Sequence, residues 1–440
     1  MGAAWIEWVN GILWTFCTRQ GPIRCRQASC ITYNPFTHWC CLNRSSNNTY
    51  AKQNGGNYNF IIDGHKALPT EERFWTDLMS SARQWGLLVY EQDFLDTQFD
   101  SVTQLHTDVH LAKQWLKEMG NGAAKNGLRI QYCMSYPRHA LQSLEIPVVT
   151  QARVSRDYHP GDDHWKIGVS SLLAWAIGVA PYKDNFWTSV QPGNTYNASE
   201  PNTALLAVVS TLSTGPVGIS DMIGGSNKSL IMKSVNADGL ILKPSRPATA
   251  IDNTIRRMAW GDFEGPDGEV WSTYSDFGGK NKFGIILAAE LTGNYTMTPG
   301  MAGFQGFPTS MIFPYNNPSK IQPLTDADPI TMTGCGTVDF CLFYVSPVLQ
   351  VQGKKVLVQG ELAKWVPMSP QRVTDISIGD DILISLTGAA AETVLPFDLH
   401  PRTRRPRHSQ LQSTSMPWRM KPYLKPHFNF SYIYGSTNRS

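Results

Sequence analysis

The sequence predicts an α/β region followed by an antiparallel β region, and two changes of pattern along the chain indicate this order. From about residue 28 to about residue 245, short apolar segments alternate with helical patterns, which is typical of a parallel sheet covered by helices. After about residue 250, strand patterns are separated by turn-forming Gly, Pro and Asn, which indicates an antiparallel β domain. Periodicity alone leaves open whether the parallel strands close into a barrel or form an open sheet.

The composition describes a folded globular protein. Of the 440 residues, 42% are hydrophobic and 17% are charged, which excludes an intrinsically disordered chain. The net charge of +3, with much of the basic character in the tail motif PRTRRPRH, gives no reason to expect a nucleic-acid partner. No segment approaches the roughly 20 uninterrupted apolar residues of a membrane span, so we expect none.

The segment LPTEERFWTDLMSSARQWG predicts the first helix of the α/β region. Pro69 stands at its start, acidic residues occupy the first turn where the helix dipole favours them, and Gly86 is placed to cap its end. The predicted apolar face is formed by Phe74, Leu78, Ala82 and Trp85. An apolar strand over 87–91 follows at once.

The alternation continues along the chain. Helices are predicted over 165–178, around 228–235 and over 107–120, the last with an apolar face of Val109, Ala112, Leu116 and Met119. Strands are predicted over 128–134, over 148–154 and in GPVGISD (215–221). In the β region we expect two strands around a Gly-Gly turn within 268–291, and further strands over 354–362 and 380–386.

Acidic side chains end the first predicted parallel strand. Glu91 and Asp93 follow the apolar run directly, and side-chain alternation points both to the same side. Desolvating a carboxylate without a partner is costly, so buried strands rarely end in this way. The C-terminal ends of parallel strands are where such folds build active sites. The alternative is that Asp93 or Asp96 caps the next helix.

A second acidic cluster ends the strand over 148–154, in the segment QARVSRDYHPGDDHW. Arg153 and Asp157 lead this cluster, and two strand-end acids far apart in sequence are what a glycosidase needs. The alternative is a salt bridge that fixes a loop. Asp184 and Asp221 stand at equivalent strand-end positions, where they either bind sugar hydroxyls or cap the next helix.

The competing motifs are weak. His106 and His110 have i, i+4 spacing, but the glutamate of the H-E-x-x-H zinc motif is absent. The loop from His159 to His164 is better explained as solvated than as a cation site. The sequence contains no nucleotide-binding glycine motif, no P-loop and no G-x-S-x-G. We therefore expect no metal and no organic cofactor.

The cysteines and the N-glycosylation triplets give information about the cellular compartment of the protein. The eight cysteines include no C-x-x-C pair, so a zinc ribbon or a thioredoxin-type site is not expected. Seven Asn-X-Ser/Thr triplets favour secretion, whereas the N-terminus lacks a basic region and Glu7 interrupts its apolar stretch. We expect a secreted or lysosomal protein if the true N-terminus is missing, and a cytoplasmic one otherwise.

The block QARVSRDYHPGDDHW, the segment GVAPYKDNFW and the run from Ser213 to Pro247 resemble the alpha-galactosidase and raffinose-synthase group, glycoside hydrolase family 36. The similarity is spread over roughly residues 85 to 250. It implies a (β/α)8 barrel of the TIM type followed by an antiparallel β-sandwich domain. The corresponding domains are a catalytic barrel over 1–248, the β domain over 249–397, and a basic, Pro-rich loose tail over 398–440.

The resemblance also implies roles for particular residues. A barrel strand of that family ends in an aspartate nucleophile, and the segment QDFL matches it, which makes Asp93 the candidate nucleophile. The acid/base aspartate lies past an arginine two strands later, as Asp157 does in RVSRDY. The residues expected to bind the substrate are Glu91, Arg153, Asp184, Trp187 and Asp221.

The sequence departs from the family pattern in two places. Glu91 stands where the family usually has a lysine, two residues before the nucleophile, so Glu91 is a rival nucleophile. The family also has an N-terminal β-sandwich and an early strand that ends in paired aspartates, and nothing before SCITYNPFTHW (29–39) supplies either. We therefore expect a chain shortened at its N-terminus, with about two barrel strands absent or replaced, which would leave sheet edges open.

Together these features predict a retaining glycoside hydrolase that acts on alpha-galactosides or related alpha-glycosides by double displacement. The expected partner is an oligosaccharide or glycoside substrate. Two alternatives stay open: a raffinose-synthase-like transglycosylase, and a carbohydrate-binding relative that has lost turnover. The sequence leaves the oligomeric state open.

Overall fold

The computed structural model describes residues 58–84, 86–190, 198–261, 264–389 and 392, together with four short strands outside these ranges. The predicted features of the segment 29–39 and most of the predicted tail lie outside the described residues. Within the described residues, no helix is both long enough and apolar enough to cross a membrane.

Helices and strands alternate up to residue 260, and strands prevail after it. The helices are α1 (Glu72–Gln84), α2 (Leu95–Asp100), α3 (Thr103–Thr107), α4 (Leu111–Lys125), α5 (Pro137–Gln142), α6 (Gly168–Ala176), α7 (Thr203–Leu212), α8 (Lys228–Ile231) and α9 (Asp252–Trp260). The strands up to residue 250 are β1 (Ile6–Val9), β2 (Ile12–Thr15), β3 (Phe60–Asp63), β4 (Lys66–Pro69), β5 (Val89–Gln92), β6 (Arg129–Tyr132), β7 (Val149–Arg153), β8 (Ala180–Tyr182) and β9 (Thr249–Ala250). The later strands are β10 (Glu269–Phe277), β11 (Asn281–Ala289), β12 (Tyr295–Met297), β13 (Ser310–Pro314), β14 (Gln322–Leu324), β15 (Ile330–Met332), β16 (Cys341–Val351), β17 (Lys354–Val358), β18 (Val373–Ile378), β19 (Ile382–Leu386), β20 (Leu399–His400) and β21 (Phe428–Ser431).

A four-stranded parallel sheet organises the first half of the described chain. Its strand order is β5-β6-β7-β8, so each strand pairs with the next one along the chain. A single parallel bridge between Phe186 and Ile219 extends this half where the sequence predicts a strand over 215–221. Barrels have this sequential strand order. An open doubly wound sheet instead reverses its strand order at a switch point. Closure into an eight-stranded barrel stays a prediction.

The two faces of the parallel sheet differ in chemistry. Glu91 is in register with Gln131, Gln131 with Gln151, and Arg153 with Tyr182, so these five polar side chains share one face. Apart from the buried Gln92, which accepts from the Tyr90 hydroxyl, the opposite face is mainly apolar. It belongs to a buried cluster with α1 and α4, which includes Tyr90, Ile130, Tyr132, Ala152, Trp75, Met79, Leu116 and Met119. The apolar side therefore anchors the sheet and leaves the polar side for chemistry.

The predicted helices of this half are present, with shifted ends. The helix over 107–120 begins only at Leu111, and Val109 is 86% exposed instead of lying on the apolar face. Asp108 accounts for the shift, because its carboxylate accepts the backbone N–H of His110 and of Leu111 and so supplies the N-terminal hydrogen bonds. The first helix begins at Glu72, because Pro69 is taken into the hairpin strand β4.

The second half is antiparallel. The main sheet runs β14-β13-β16-β11-β10-β9, and β17 and β20 continue it from β16. The predicted hairpin within 268–291 is confirmed as β10 and β11, and its turn uses Gly278 and Gly279 at positive φ. A disulfide joins Cys335 to Cys341.

One hydrophobic cluster joins the two halves. The ring of Trp165 lies 6.0 Å from that of Trp271, which comes from β10, and both rings are buried. A Cβ atom on Gly168 would stand 2.2 Å from Nε1 of Trp271, so only glycine permits this approach. The same cluster contains most of α7, which is buried from Leu205 to Leu212.

Candidate active site

The candidate active site lies at the C-terminal edge of the parallel sheet. Glu91 is in β5 and Asp93 follows that strand, while Cys133 follows β6. Arg153 is the last residue of β7, and Tyr182 is the last residue of β8. Four consecutive strand ends therefore bring polar side chains to one edge, as the sequence predicts for its acidic residues.

Arg153 is the positive centre of this site. Only 9% of its side chain is exposed, and its guanidinium is 2.8 Å from Asp157 and 3.3 Å from Asp184. Asp157 remains 53% exposed despite this ion pair. The salt bridge that we considered as an alternative role for this cluster therefore exists, and it leaves the Asp157 carboxylate open to solvent.

Asp184 is fixed by donors on every side. Oδ2 accepts the backbone N–H of Tyr158 at 2.9 Å as well as the Arg153 guanidinium. Oδ1 accepts the backbone N–H of Asn185 at 2.7 Å and its side-chain amide at 3.0 Å. Asp184 therefore connects the loops after β7 and β8, and its predicted contact with a sugar stays a prediction.

Glu91 is held by a chain of hydrogen bonds across the sheet. Tyr182 donates its hydroxyl proton to Oε1 of Glu91 at 3.3 Å, and it accepts from the Gln131 side-chain amide at 2.6 Å. Burial and the negative charge of Asp93 raise the pKa of Glu91 to about 7, although the Arg153 charge acts the other way. Glu91 therefore exchanges its proton near neutral pH.

Asp93 occupies a sharply turned segment. Its Oδ1 accepts the backbone N–H of Phe94 at 2.8 Å, and Phe94 has a left-handed backbone with φ 54 and ψ 35. Burial raises the pKa of Asp93, while hydrogen bonds from Cys133 and Phe94 and the Arg153 charge offset part of the effect. The next helix, α2, has Phe94 at its N-cap with no side-chain cap, so helix capping does not explain Asp93.

Asp221 and Trp187 belong to a neighbouring pair of loops. Asp221 accepts the backbone N–H of Thr188 at 2.8 Å and also the Thr188 hydroxyl. Trp187 is 5% exposed and packs edge-on against Tyr158, with ring centroids 5.6 Å apart. These contacts hold the segment after Phe186 in place, and direct sugar contacts of both residues stay predictions.

Several residues of the site were missed by the sequence reasoning. Cys133 is buried and is within hydrogen-bond reach of the carboxyls of Glu91 and Asp93, and Gln131, Gln151 and Tyr182 share the face of Glu91. No motif marks them. Their signal is position alone, since each lies within or just after a predicted strand on the side that carries the acids.

The histidine motifs do not form metal sites in the described part of the chain. His106 lies in α3 and contacts the Phe99 ring at 4.4 Å, while His110 precedes α4. In the loop after β7, Asp163 pairs with Arg156 and Lys166. Among the residues that the structure describes, no group of three or more His, Cys, Asp or Glu is placed to hold a metal ion.

Comparison with known proteins gives limited similarity. No protein-family model and no curated protein matches the sequence. A family 27 β-L-arabinopyranosidase from Geobacillus stearothermophilus matches 63% of the chain, at 11% identity and TM-score 0.45, over 61% of its own length. A family 44 endoglucanase produced by Clostridium acetobutylium matches 63% of the chain, at 10% identity and TM-score 0.31, over 62% of its own length.

The present chain thus spans about three fifths of the length of each matched structure, 61% and 62%. Both names describe glycoside hydrolases, but similarities with TM-scores below 0.5 carry no argument about function. Neither name is that of a family 36 enzyme, so membership of that family stays a prediction.

Proposed function

We propose that this protein is a retaining glycoside hydrolase that acts on alpha-galactosides or related alpha-glycosides. Asp93 would act as the nucleophile, and Asp157 as the acid and then the base. The observation that carries the proposal is the placement of both carboxyls at one edge of the parallel sheet: Asp93 directly follows β5, and Asp157, in the loop after β7, pairs with Arg153 at the end of that strand.

The chemistry assigned to this pair is double displacement. Asp93 attacks the anomeric carbon while Asp157 gives its proton to the leaving oxygen, which breaks the glycosidic bond and forms a glycosyl ester. Asp157 then takes a proton from water, whose oxygen displaces Asp93 from the sugar with net retention. The exposure of Asp157 suits this second step, because water reaches the carboxylate directly.

The ion pair between Asp157 and Arg153 affects how Asp157 can carry the proton that the first step needs. The first step needs a protonated acid, and a protonated Asp157 no longer forms the ion pair with the Arg153 guanidinium that the structure shows at 2.8 Å. Arg153 has a second partner in Asp184, which would hold the guanidinium while Asp157 carries the proton. Glu91 is the rival proton donor, because its raised pKa of about 7 keeps part of it protonated at neutral pH.

Hydrolysis of an aryl alpha-galactoside by the purified chain tests the proposal. We expect Asp93→Asn to reduce turnover by on the order of 10³-fold or more, because the covalent intermediate cannot form. We expect azide to restore turnover of Asp157→Ala and to give the alpha-glycosyl azide, since the aryl leaving group needs no acid. Asp96→Asn is the matched control: its carboxylate accepts the N–H of Thr97, and turnover should stay near that of the wild type.

The same assay separates the alternatives. Transfer of the galactosyl group to an added sugar, in excess over release to water, would assign the chain to the transglycosylases. With an alkyl alpha-galactoside, whose leaving group does need an acid, loss of turnover in Glu91→Gln but not in Asp157→Ala would move the acid role to Glu91. A folded wild-type chain without turnover on aryl alpha-glycosides would contradict the proposal and leave carbohydrate binding as the function.

A further inference from the structure

The polar face of the parallel sheet has more hydrogen-bond acceptors than donors. The side-chain oxygens of Gln131 and Gln151 are buried without a partner, and the two residues are in register on adjacent strands. Buried polar atoms are normally paired, so two neighbouring unpaired acceptors are unusual. They lie on the same face as Glu91, which places them directly beside the carboxyl cluster.

Negative charge is also in excess at this site. Glu91, Asp93, Asp157 and Asp184 surround a single guanidinium, that of Arg153. The charges of Asp93 and Asp184 both act on Glu91 in the direction that disfavours its ionisation. The cluster therefore lacks positive charge in the protein without ligand.

The other cations close to the site are engaged elsewhere. Lys183 is 1% exposed, and its ammonium donates to the backbone oxygens of Asp184 at 2.6 Å and Asn185 at 3.1 Å. Arg156 pairs with Asp163, and Lys166 is 2.5 Å from Glu290. A ligand that supplied both positive charge and several hydrogen-bond donors would complement the cluster.

We propose that the site binds a glycoside whose sugar carries a free, protonated amine, and that the carboxylate of Glu91 pairs with this ammonium. The inference names the substrate class of the proposed glycosidase and so rests on that proposed function. An ammonium supplies one positive charge and three donors, which matches a site that is short of both. Glu91 is half-buried, so a sugar reaches it while bulk water screens the pair only in part.

The position of Glu91 favours contact with the sugar that reacts. Residues two apart on a strand point to the same side, so Glu91 and Asp93 face one ligand together. Tyr182 donates to Oε1 of Glu91 from β8, and the Cys133 thiol lies within hydrogen-bond reach of the same carboxyl from the end of β6. Glu91 is therefore oriented from two neighbouring strands before any ligand binds.

Binding measured by titration calorimetry with unreacted sugars tests the inference without turnover. The probes are the methyl alpha-glycosides of galactosamine and glucosamine, each beside its hydroxyl and N-acetyl counterparts. For at least one of the two amines, we expect the wild-type chain to bind it at least about tenfold tighter than both counterparts, as charge-assisted hydrogen bonds allow. Glu91→Gln should reduce this preference to about twofold or less, and Asp96→Asn should leave it unchanged.

The pH dependence gives a second readout. The groups that face Glu91 are Asp93 and Asp184, which disfavour its charge, and Arg153, Cys133 and Tyr182, which favour the charged form or hydrogen-bond to it. An ammonium should draw the proton off Glu91, so amine affinity should rise with proton release from about pH 5 to about pH 7, and it should fall above about pH 8, where the sugar amine itself loses its proton. The hydroxyl sugars should show no such rise.

The outcomes separate this inference from the proposed function. Equal affinity for amine and hydroxyl sugars, or no binding of either amine, would overturn the inference. An amine preference that survives Glu91→Gln would overturn the assignment to Glu91. Turnover of neutral glycosides without any amine preference would support the glycosidase activity and overturn the amine-binding inference. Glu91-dependent amine binding without turnover of any aryl glycoside would support the inference and overturn the glycosidase activity.

Discussion

Two buried arginines of this protein each join two carboxylates, and they differ in what surrounds them. Arg372 is 1% exposed and pairs with Glu361 at 2.9 Å and with both oxygens of Glu392 at 2.6 and 2.9 Å. Both of these glutamates are nearly buried, and Lys364 adds a second cation. Arg153 instead pairs with the half-exposed Asp157, and two further carboxyls stand nearby.

The difference teaches how to distinguish a structural ion network from a site for a ligand. Around Arg372, charges balance, and Lys364 donates to the backbone oxygens of Met232 and Val235, joining the antiparallel half to the chain after α8. Around Arg153, carboxyls outnumber cations, and burial raises the pKa values of Glu91 and Asp93. Burial also raises the pKa of Glu361, so the charge balance and not the pKa shift separates the two networks. Unbalanced charge has a cost in stability, and functional sites are where proteins bear such costs.

The largest expected effect comes from opening the balanced network. Arg372→Met leaves two buried glutamates, Glu361 and Glu392, beside the single cation of Lys364, so we expect the free energy of unfolding to fall by about 3–5 kcal/mol. Urea unfolding followed by tryptophan fluorescence measures this change. The triple change of Arg372, Glu361 and Glu392 to apolar residues should recover most of the lost stability. If Arg372→Met is as stable as the wild type, the structural role of the Arg372 network is contradicted.

Removing a surplus carboxylate should have the opposite sign. Folding raises the pKa of Glu91 from 4.5 to about 7, so between these values the folded protein binds the proton more tightly than the unfolded chain. The wild type therefore loses stability as pH rises from 4.5 to 7. We expect Glu91→Gln to stabilise the protein by about 2 kcal/mol at pH 8 and by much less at pH 5. The same gain at both pH values would show that charge is not the cause.

Removing the Arg153 guanidinium should reduce the free energy of unfolding by less than removing that of Arg372. In Arg153→Met, Asp157 keeps its contact with water, and Glu91 and Asp93 can take up protons as their pKa values rise without the guanidinium. We expect a loss of about 1–2 kcal/mol in the free energy of unfolding at pH 7. A loss as large as that of Arg372→Met would remove the distinction between the two arginines.

The smallest effect should come from an ion pair at the surface. Arg73 and Asp77 lie 3.6 Å apart on α1, with side chains 54% and 38% exposed. Water screens such a pair, so Arg73→Ala should change the free energy of unfolding by at most about 1 kcal/mol. This variant also measures how much an exposed arginine contributes to stability, under the same unfolding conditions as Arg372→Met, Glu91→Gln and Arg153→Met.

The sequence predicted the parallel strands and the acids at their ends because both follow from local rules. Apolar runs define the strands, and alternation fixes the side of Glu91 and Asp93. It did not predict that Asp184 is saturated by backbone and amide donors, or that Trp187 is buried against Tyr158. Those facts depend on how loops from different strands meet, which no local pattern encodes.

The Arg372 network was not foreseen for a related reason. Glu361 and Glu392 are 11 and 20 residues from Arg372 in sequence, and all three belong to loops or strand ends without a motif. The shift of the helix start to Leu111 has a different cause, because the Asp108 hydrogen bonds compete with an apolar periodicity that extends too far towards the N-terminus.

The close approach of Trp271 to Gly168 has a consequence for the nascent chain. Trp165 and the buried part of α7 emerge from the ribosome well before Trp271, which is 106 residues after Trp165 and completes the same cluster. At a translation rate of about 5–20 residues per second, that apolar surface stays uncovered for roughly 5–20 s until Trp271 is synthesised. During this interval the growing polypeptide presents a site for chaperones, and a pause in translation before residue 271 would lengthen it.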